Sequence, residues 1–481
     1  MNDYLLETYL QANLQAATGN IGDGGNLHYI VSAVYKTTPA QTHLKIRTPT
    51  PYYILYIQNT MTNHPFHLID SVDWASLSHA YGEATNVPTD LRALVSPNPE
   101  ERKAAYTSLT GTIYHQGSRY SASAPAVPYL LAILQDPSTP DRARLIDFIM
   151  HLALGYDTMH LPGGINMRAW RAQIAELKSP DYEAVWNRRM DEWIAQAPDD
   201  GARHWRRMMR AIGFRQGQEE SLHAFATYEA VREGVPVFRG CLEDESEDVR
   251  LWAAYALAWF PEERATSAPL LEGVLDRELG AAVRACAIIA LGLLFGCQDG
   301  LGDGAPPEGV EALVSRLRGY ADDASSLVQW AAAMALVRLK QQEPRHVDIV
   351  VRCLVDGVSV ENAGELGFPF YDGNIVDYSA EVVASLDIAE HPGAAPAVLN
   401  ALSRASGVES LNLVSVVLRL AFGSAPGETI PFEQLSEFQQ RSVKVLANMG
   451  PETWRWGNFV AILKEYKIPS SQEGCRKYVG L

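Results

Sequence analysis

A nine-residue pattern that returns twice limits most strongly what this chain can fold into. Val249 to Leu257 (VRLWAAYAL) is echoed at Val283 to Leu291 (VRACAIIAL) and again at Val328 to Leu336 (VQWAAAMAL). The copies start 34 and then 45 residues apart. A helix that recurs at such intervals marks a stacked array of helix pairs. Each pair is too small to bury its own Leu, Val and Ala faces, so stacking must bury them. Small residues such as Ala253, Ala254 and Ala256 let neighbouring helices come close. A unit of roughly 40 residues lies in the HEAT or armadillo range, and no ankyrin-type Thr-Pro-Leu-His is present. The expected fold class is therefore all-α: an α-solenoid of antiparallel helix pairs, running as one curved array from about Phe66 to Leu481.

The same grammar extends through most of the chain: a helix, a Pro or Asp turn, then a second helix. Asp70, Ser71 and Asp73 offer N-capping side chains to a helix carrying Trp74, Leu77 and Tyr81 on one face. Helices are predicted at 89–95, from Glu100, at 124–134 with prolines in the first turn, and at 141–154. Residues 155–164 break the pattern, and 165–216 are less regular, with helices at about 167–177 and 181–196. From Ser221 the expected helices are 228–242, 247–259, 268–275, 281–295, 307–319, 325–340, 345–356, 378–386, 394–405, 411–422, 432–449 and 454–466. The Gly-rich stretch 296–306 accounts for the longer second interval. Three regions follow: an atypical extension at 1–60, a helical region at 61–220 with an irregular basic insert, and the array at 221–481 continuous with it. The extension carries no repeat-like helix, so it is expected to be ill-ordered or foreign to the fold. Its strand-like run at 52–57 leaves a docking arm as the alternative.

Composition bears mainly on partners and compartment. Forty Lys and Arg stand against 57 Asp and Glu, a formal charge of −17. That acidity disfavours generic nucleic-acid binding. Five cysteines without CxxC spacing fit a reducing compartment and no structural zinc. No apolar run reaches about 18 residues, so no membrane span is expected, and the N-terminus lacks the basic start of a signal peptide. The expectation is a cytoplasmic protein.

The turns followed by Val-Arg at 249–250 and 283–284, and then by Ala-rich helices, resemble HEAT repeats of the phycobilisome-lyase-like kind. From about Ile69 onward the chain is also similar to bacterial HEAT-repeat proteins of unassigned function. The residues that carry this likeness are Ser71 to Trp74, His79 to Gly82, Tyr114 to Gly117 with Ala124 to Pro128, and Ala254 to Pro261. The resemblance implies that the Val-Arg helix is the second of each repeat and lines the concave face. It implies nothing about activity.

Two stretches can carry chemistry. At 113–120, Tyr114, His115, Gln116, Arg119 and Tyr120 cluster where one helix gives way to the next. They can form a small polar pocket, with Arg119 for an anion and His115 as acid or base. A plain helix connection whose side chains satisfy exposed backbone groups explains them too, and we favour it. At 186–215, Arg203, Arg206 and Arg207 lie among further arginines and three tryptophans, as in surfaces that grip phosphates and stack bases. Asp191, Glu192, Asp199 and Asp200 dilute that patch, and salt-bridged helix faces are the preferred reading. His151 and His160 bracket residues 155–157, and a helix end plus loop accounts for them better than a ligand pair. The loop at 361–378 is read as solvated, with a binding rim as the alternative. No HExxH, GxSxG, Walker-type or strand-linked GxGxxG motif occurs, and there is no His-Glu dipeptide of the HEAT-fold hydroxylase kind. No cofactor or metal is expected. The function expected is a non-catalytic scaffold holding a macromolecular partner, most simply a protein, on the concave face. The alternatives are a HEAT-scaffold enzyme or small-ligand (chromophore-handling) protein built on His115 and Arg119, and a nucleic-acid binder using 186–215.

Overall fold

The computed structural model describes residues 65–197, 199–296, 307–356 and 367–481. The extension at 1–60, the Gly-rich stretch and the first part of the 361–378 loop lie outside those residues. The described chain is an all-α solenoid with two minimal β-hairpins. No helix among the described residues is long and apolar enough to cross a membrane.

The first units contain α1 (Val87–Ala93), α2 (Pro99–Thr112), α3 (Ser123–Gln135) and α4 (Arg142–Leu154). Pro88 and Pro99 sit in first turns, where a missing N–H costs nothing, and the Asn98 side chain accepts the Glu100 N–H. An insert follows, made of α5 (Met167–Leu177), α6 (Tyr182–Ala195) and the 34-residue α7 (Asp200–Glu233). The array resumes with α8 (Val235–Cys241), α9 (Glu247–Leu257), α10 (Arg264–Arg277), α11 (Ala281–Gly296), α12 (Val310–Tyr320), α13 (Ser326–Arg338) and α14 (Pro344–Asp356). It ends with α15 (Ile375–Ala384), α16 (Ala394–Arg404), α17 (Leu411–Phe422), α18 (Glu437–Asn448), α19 (Pro451–Trp454), α20 (Gly457–Glu465) and α21 (Gln472–Tyr478).

The second helices α4, α9, α11, α13, α15 and α17 pack directly on one another in sequence. No comparable contact joins α8 to α10 or α10 to α12. From α4 to α13 the second helices therefore form the continuous inner layer, whereas farther on the first helices α14 and α16 also pack on each other. Ala335 faces Gly292 so closely that a Cβ on Gly292 would lie 2.8 Å from the Ala335 Cβ. Small residues in the recurring pattern set this spacing.

The recurring Val-Arg has a second, electrostatic role. Arg250 Nη1 donates to the carbonyls of Asp244 and Glu245 in its own turn, and its Nε donates to Glu278 of the next repeat at 2.7 Å. Arg102 does the same with Ser96, Pro97 and, at 2.7 Å, Asp141. Arg142 pairs with Asp244, and Arg284 with Asp323. Each arginine thus satisfies turn carbonyls, reaches forward to the following repeat's acid, or does both. A half-buried bidentate donor of this kind contributes more than an exposed ion pair.

Several elements differ from the sequence reading. No helix covers 74–81. Trp74–Ser76 is a 3-10 turn, and Ser78–His79 (β1) pairs with Gly82–Glu83 (β2). That hairpin finds backbone partners in its neighbour, with Ala80 N–H on the Thr112 carbonyl and Ala122 N–H on that of Ser78. The helix expected at 228–242 is the end of α7, a break at Gly234, and α8. Pro236 cannot continue a helix, and a Cβ at Gly234 would collide with Leu131. Helix α7 also runs across position 220, the expected region boundary. The segment 432–449 splits at Ser436, which forms a capping box with Gln439, and 454–466 splits at Trp456.

Candidate functional site

Three stretches that break the repeat pattern meet on the inner helices. The first is the hairpin of Tyr114–His115 (β3) and Ser118–Arg119 (β4), turned by Gln116 and Gly117. Both turn residues have positive φ, 49° and 83°, as a two-residue hairpin of matching twist requires. The second is the segment after α4, Gly155 to Gly164. The third is the turn at 368–373, with Tyr371 and Asp372 in left-handed conformation.

Glycines allow the first two to touch. A Cβ at Gly155 would collide with Arg119 Nη1, and one at Gly117 would stand 2.7 Å from the Tyr156 ring. The Tyr114 hydroxyl donates to the Gly155 carbonyl at 3.2 Å. The second and third stretches meet at Asp157. Its Oδ2 accepts the Tyr371 N–H at 3.2 Å, and the Tyr255 hydroxyl bonds to the same carboxyl. Phe370 packs edge-on against Tyr255 at 4.8 Å and, tilted, against Trp259 at 5.9 Å, while Phe368 meets Trp330. Arg338, at the end of α13, donates to the carbonyls of Gly292 and Gly163. Residues more than 200 apart in sequence are thereby closed over the inner helices. The solvated reading of the loop fails for 368–371, because Phe368, Phe370 and Tyr371 are buried.

Burial sets the electrostatics. Asp157 is pushed up to about 6 by desolvation and by nearby Asp372, against the bonds from Tyr371 and Tyr255. Burial holds His160 down at about 4, so its ring is neutral and Nε2 donates to the Leu154 carbonyl at 3.1 Å. Tyr114 and Tyr255 are raised by desolvation and stay protonated. For His151, burial is outweighed by Asp147, which lies 3.0 Å away and raises it. Arg119 is lowered to about 10 by burial and remains a cation at neutral pH. Its Nη1 donates to the Gly117 carbonyl, while its buried Nε has no partner among the described residues. The cluster thus has one carboxyl that titrates near neutrality and one buried guanidinium that lacks a full set of acceptors. Farther along, burial and Glu381 push Asp377 up to about 7.

Of the residues singled out in the sequence, Tyr114 and Arg119 belong to this cluster. His115 faces the other way, its ring 5.4 Å from that of exposed Tyr81. Gln116 is exposed at the turn tip. The Tyr120 N–H donates to Ser123, and burial with Glu220 raises its hydroxyl to about 12. The basic residues lie elsewhere, between α6 and α7. Arg203 pairs with Asp200 at 2.5 Å, Arg210 pairs with Asp191, and Arg206 lies 4.7 Å over Trp193 while donating to its carbonyl. Arg207 lines a shallow 470 Å³ cavity with Asp191 and Glu183. Arg206 and Arg210 thus tie α7 to α6, while the Arg203 pair stays within α7. Asp157 and Tyr255 were not singled out, and Tyr371 figured only in the alternative binding rim of the 361–378 loop. Tyr255 did carry a signal, since it stands where the other two copies of the pattern have Ile289 and Met334.

Another opening lies on the other layer. It is a groove of about 680 Å³ between α3, the end of α7 and α8.

A comparison with family models agrees with this architecture. A model of HEAT repeats matches residues 192–292, the span from the end of α6 to α11. That match supports a HEAT-repeat protein built as an all-α solenoid. No curated protein matches the chain. Among solved structures, the crystal structure of an engineered protein is similar at 17% identity and a TM-score of 0.20, over 82% of this chain and 99% of that one.

Proposed function

We propose that the chain is a non-catalytic helical-repeat scaffold that holds a protein partner. One observation carries the reading: the fold itself uses the unusual polar residues. Tyr114, Asp157, Tyr255 and Arg338 close three irregular stretches over the inner helices, and the arginines of the insert brace α6 on α7. Their hydrogen bonds within the fold give these groups a structural part, which supports the scaffold reading. HEAT stacks serve widely as interaction surfaces, which supports the same reading. The concave-face site is narrowed by the cover that 155–164 and 368–373 place over the inner helices, so the partner surface is sought outside that cover. Membership of the phycobilisome-lyase-like subgroup rests on the Val-Arg helices, and a cytoplasmic location rests on cysteine usage; both belong to this proposal. Immobilised full-length chain should retain one protein in fixed stoichiometry from extract of its source cells. Retention of nothing beyond an inert column would sink the proposal.

A second reading, a small anionic ligand, is favoured by the unpartnered Arg119 Nε. A bound carboxylate or phosphate would supply the missing acceptor. Native mass spectrometry of gently purified protein should then show an added small mass that Arg119→Met abolishes. A bare polypeptide mass would remove this reading.

A further inference from the structure

We propose that the groove between α3 and α8 receives a short partner segment carrying apolar side chains beside lysine or arginine. The inference rests on the scaffold reading and adds the place and the chemistry of recognition.

The groove exists because two outer helices are separated. Helices α3 and α8 are first helices of successive units, yet the insert α5–α7 lies between them in sequence. The end of α7 crosses beneath them, and Gly234 is pressed onto Leu131. The walls are apolar: Pro128, Leu131 and Ala132 from α3 face Pro236 and Val237 from α8. Gly240 is exposed on the same wall, and a Cβ there would meet nothing within 4 Å. A cavity of about 680 Å³ with such walls has room for a few apolar side chains.

The rim determines which segment fits. Glu233, Glu243, Asp244 and Glu245 border the opening, with Arg142 as the one cation in the lining. Asp244 is taken by Arg142, and Glu243 by Arg277 at 2.5 Å. Among the described residues no ion pair holds Glu233 or Glu245. Burial raises Glu233, and neighbouring Arg232 offsets that only in part. An apolar trough with two carboxylates outside any described ion pair attracts a basic, apolar segment and repels nucleic acid or anionic lipid. Helix α3 offers a wall about 20 Å long, which spans about six residues of extended peptide.

The test is selection of a random 12-residue peptide display library on the full chain at low salt. Selected sequences are then remade with a fluorophore and titrated by polarisation. They should pair Leu, Ile or Phe with Lys or Arg. Gly240→Leu fills the groove from an exposed helical position and should weaken binding at least 10-fold with an unchanged circular dichroism spectrum. The pair Glu233→Lys and Glu245→Lys should weaken it comparably, and added salt should weaken wild-type binding. Peptides that bind Gly240→Leu as tightly as wild type, or that carry no basic residue, would overturn the groove while leaving the scaffold reading intact. Failure to enrich any peptide, together with capture of no protein, would overturn both.

Discussion

Replacing Asp157 with Asn should make the protein more stable at neutral pH, although the substitution touches the joint between two irregular stretches. Asp157 is half-buried, accepts from Tyr371 and Tyr255, and titrates at about 6 instead of 3.8. Its folded pKa is raised, so the fold prefers the neutral form. The cost of holding the charge is full above pH 6 and is relieved as pH falls toward the unfolded value. A shift of about two units corresponds to about 3 kcal/mol at pH 7.5 and leaves about 1 kcal/mol at pH 4.5. Asn keeps an acceptor for both donors and carries no charge, so it recovers that cost at most in full. Unfolding entropy scales with length, so a chain of this size gains about 1 °C in Tm per kcal/mol. Thermal unfolding followed by circular dichroism should show Asp157→Asn higher by about 2–3 °C at pH 7.5 and by about 1 °C or less at pH 4.5. Asp377 titrates in the same direction but is common to both proteins, so the difference isolates Asp157. A variant destabilised equally at both pH values would refute the reasoning, since the carboxylate would then contribute through shape and not through a charge held at a cost.

Other expectations follow from the same contacts. Gly292→Val places side-chain carbon against the Ala335 backbone and should cost about 1–3 kcal/mol, read as a lower denaturant midpoint. Arg142→Ala strands partly buried Asp244 and frees the Leu134 carbonyl; a loss of about 3 kcal/mol, with faster amide exchange between α4 and α8, is expected. Arg206→Ala should loosen α6 from α7 by about 1 kcal/mol and leave retention of a DNA probe unchanged. Burial raises the thiols of Cys241, Cys286, Cys353 and Cys475, so brief alkylation of native protein should leave these four unlabelled by peptide mass spectrometry.

The repeat helices were legible because stacking demands the same small and apolar residues at the same spacing in every unit. Helices α5 and α17 were expected at their observed bounds, and α3, α4, α11 and α16 within a residue or two. The arginine clasps were half legible. Val-Arg recurs visibly, but its acceptors, Glu278 and Asp323, sit 28 and 39 residues downstream at no fixed offset. The two hairpins were missed because two-residue strands carry no periodicity. Gln116 with Gly117 was the one turn signal there, and it gained meaning only with partners from neighbouring units. The irregular stretches 113–120, 155–164 and 368–373 each stood out as departures from the pattern. That they converge depends on the curvature of the array, which brings Asp157 to Tyr371 and which no local pattern encodes. The basic, aromatic run shows what composition does convey: the interspersed acids pointed to salt-bridged helix faces, and Asp200 lies beside Arg203 and Trp193 beside Arg206.

The most direct measurement is the mass of the intact assembly purified through this chain from its source cells under gentle conditions. The scaffold account predicts the chain together with one other polypeptide in a whole-number ratio. A chain that flies alone, or with only a small molecule lost on Arg119→Met, would contradict it.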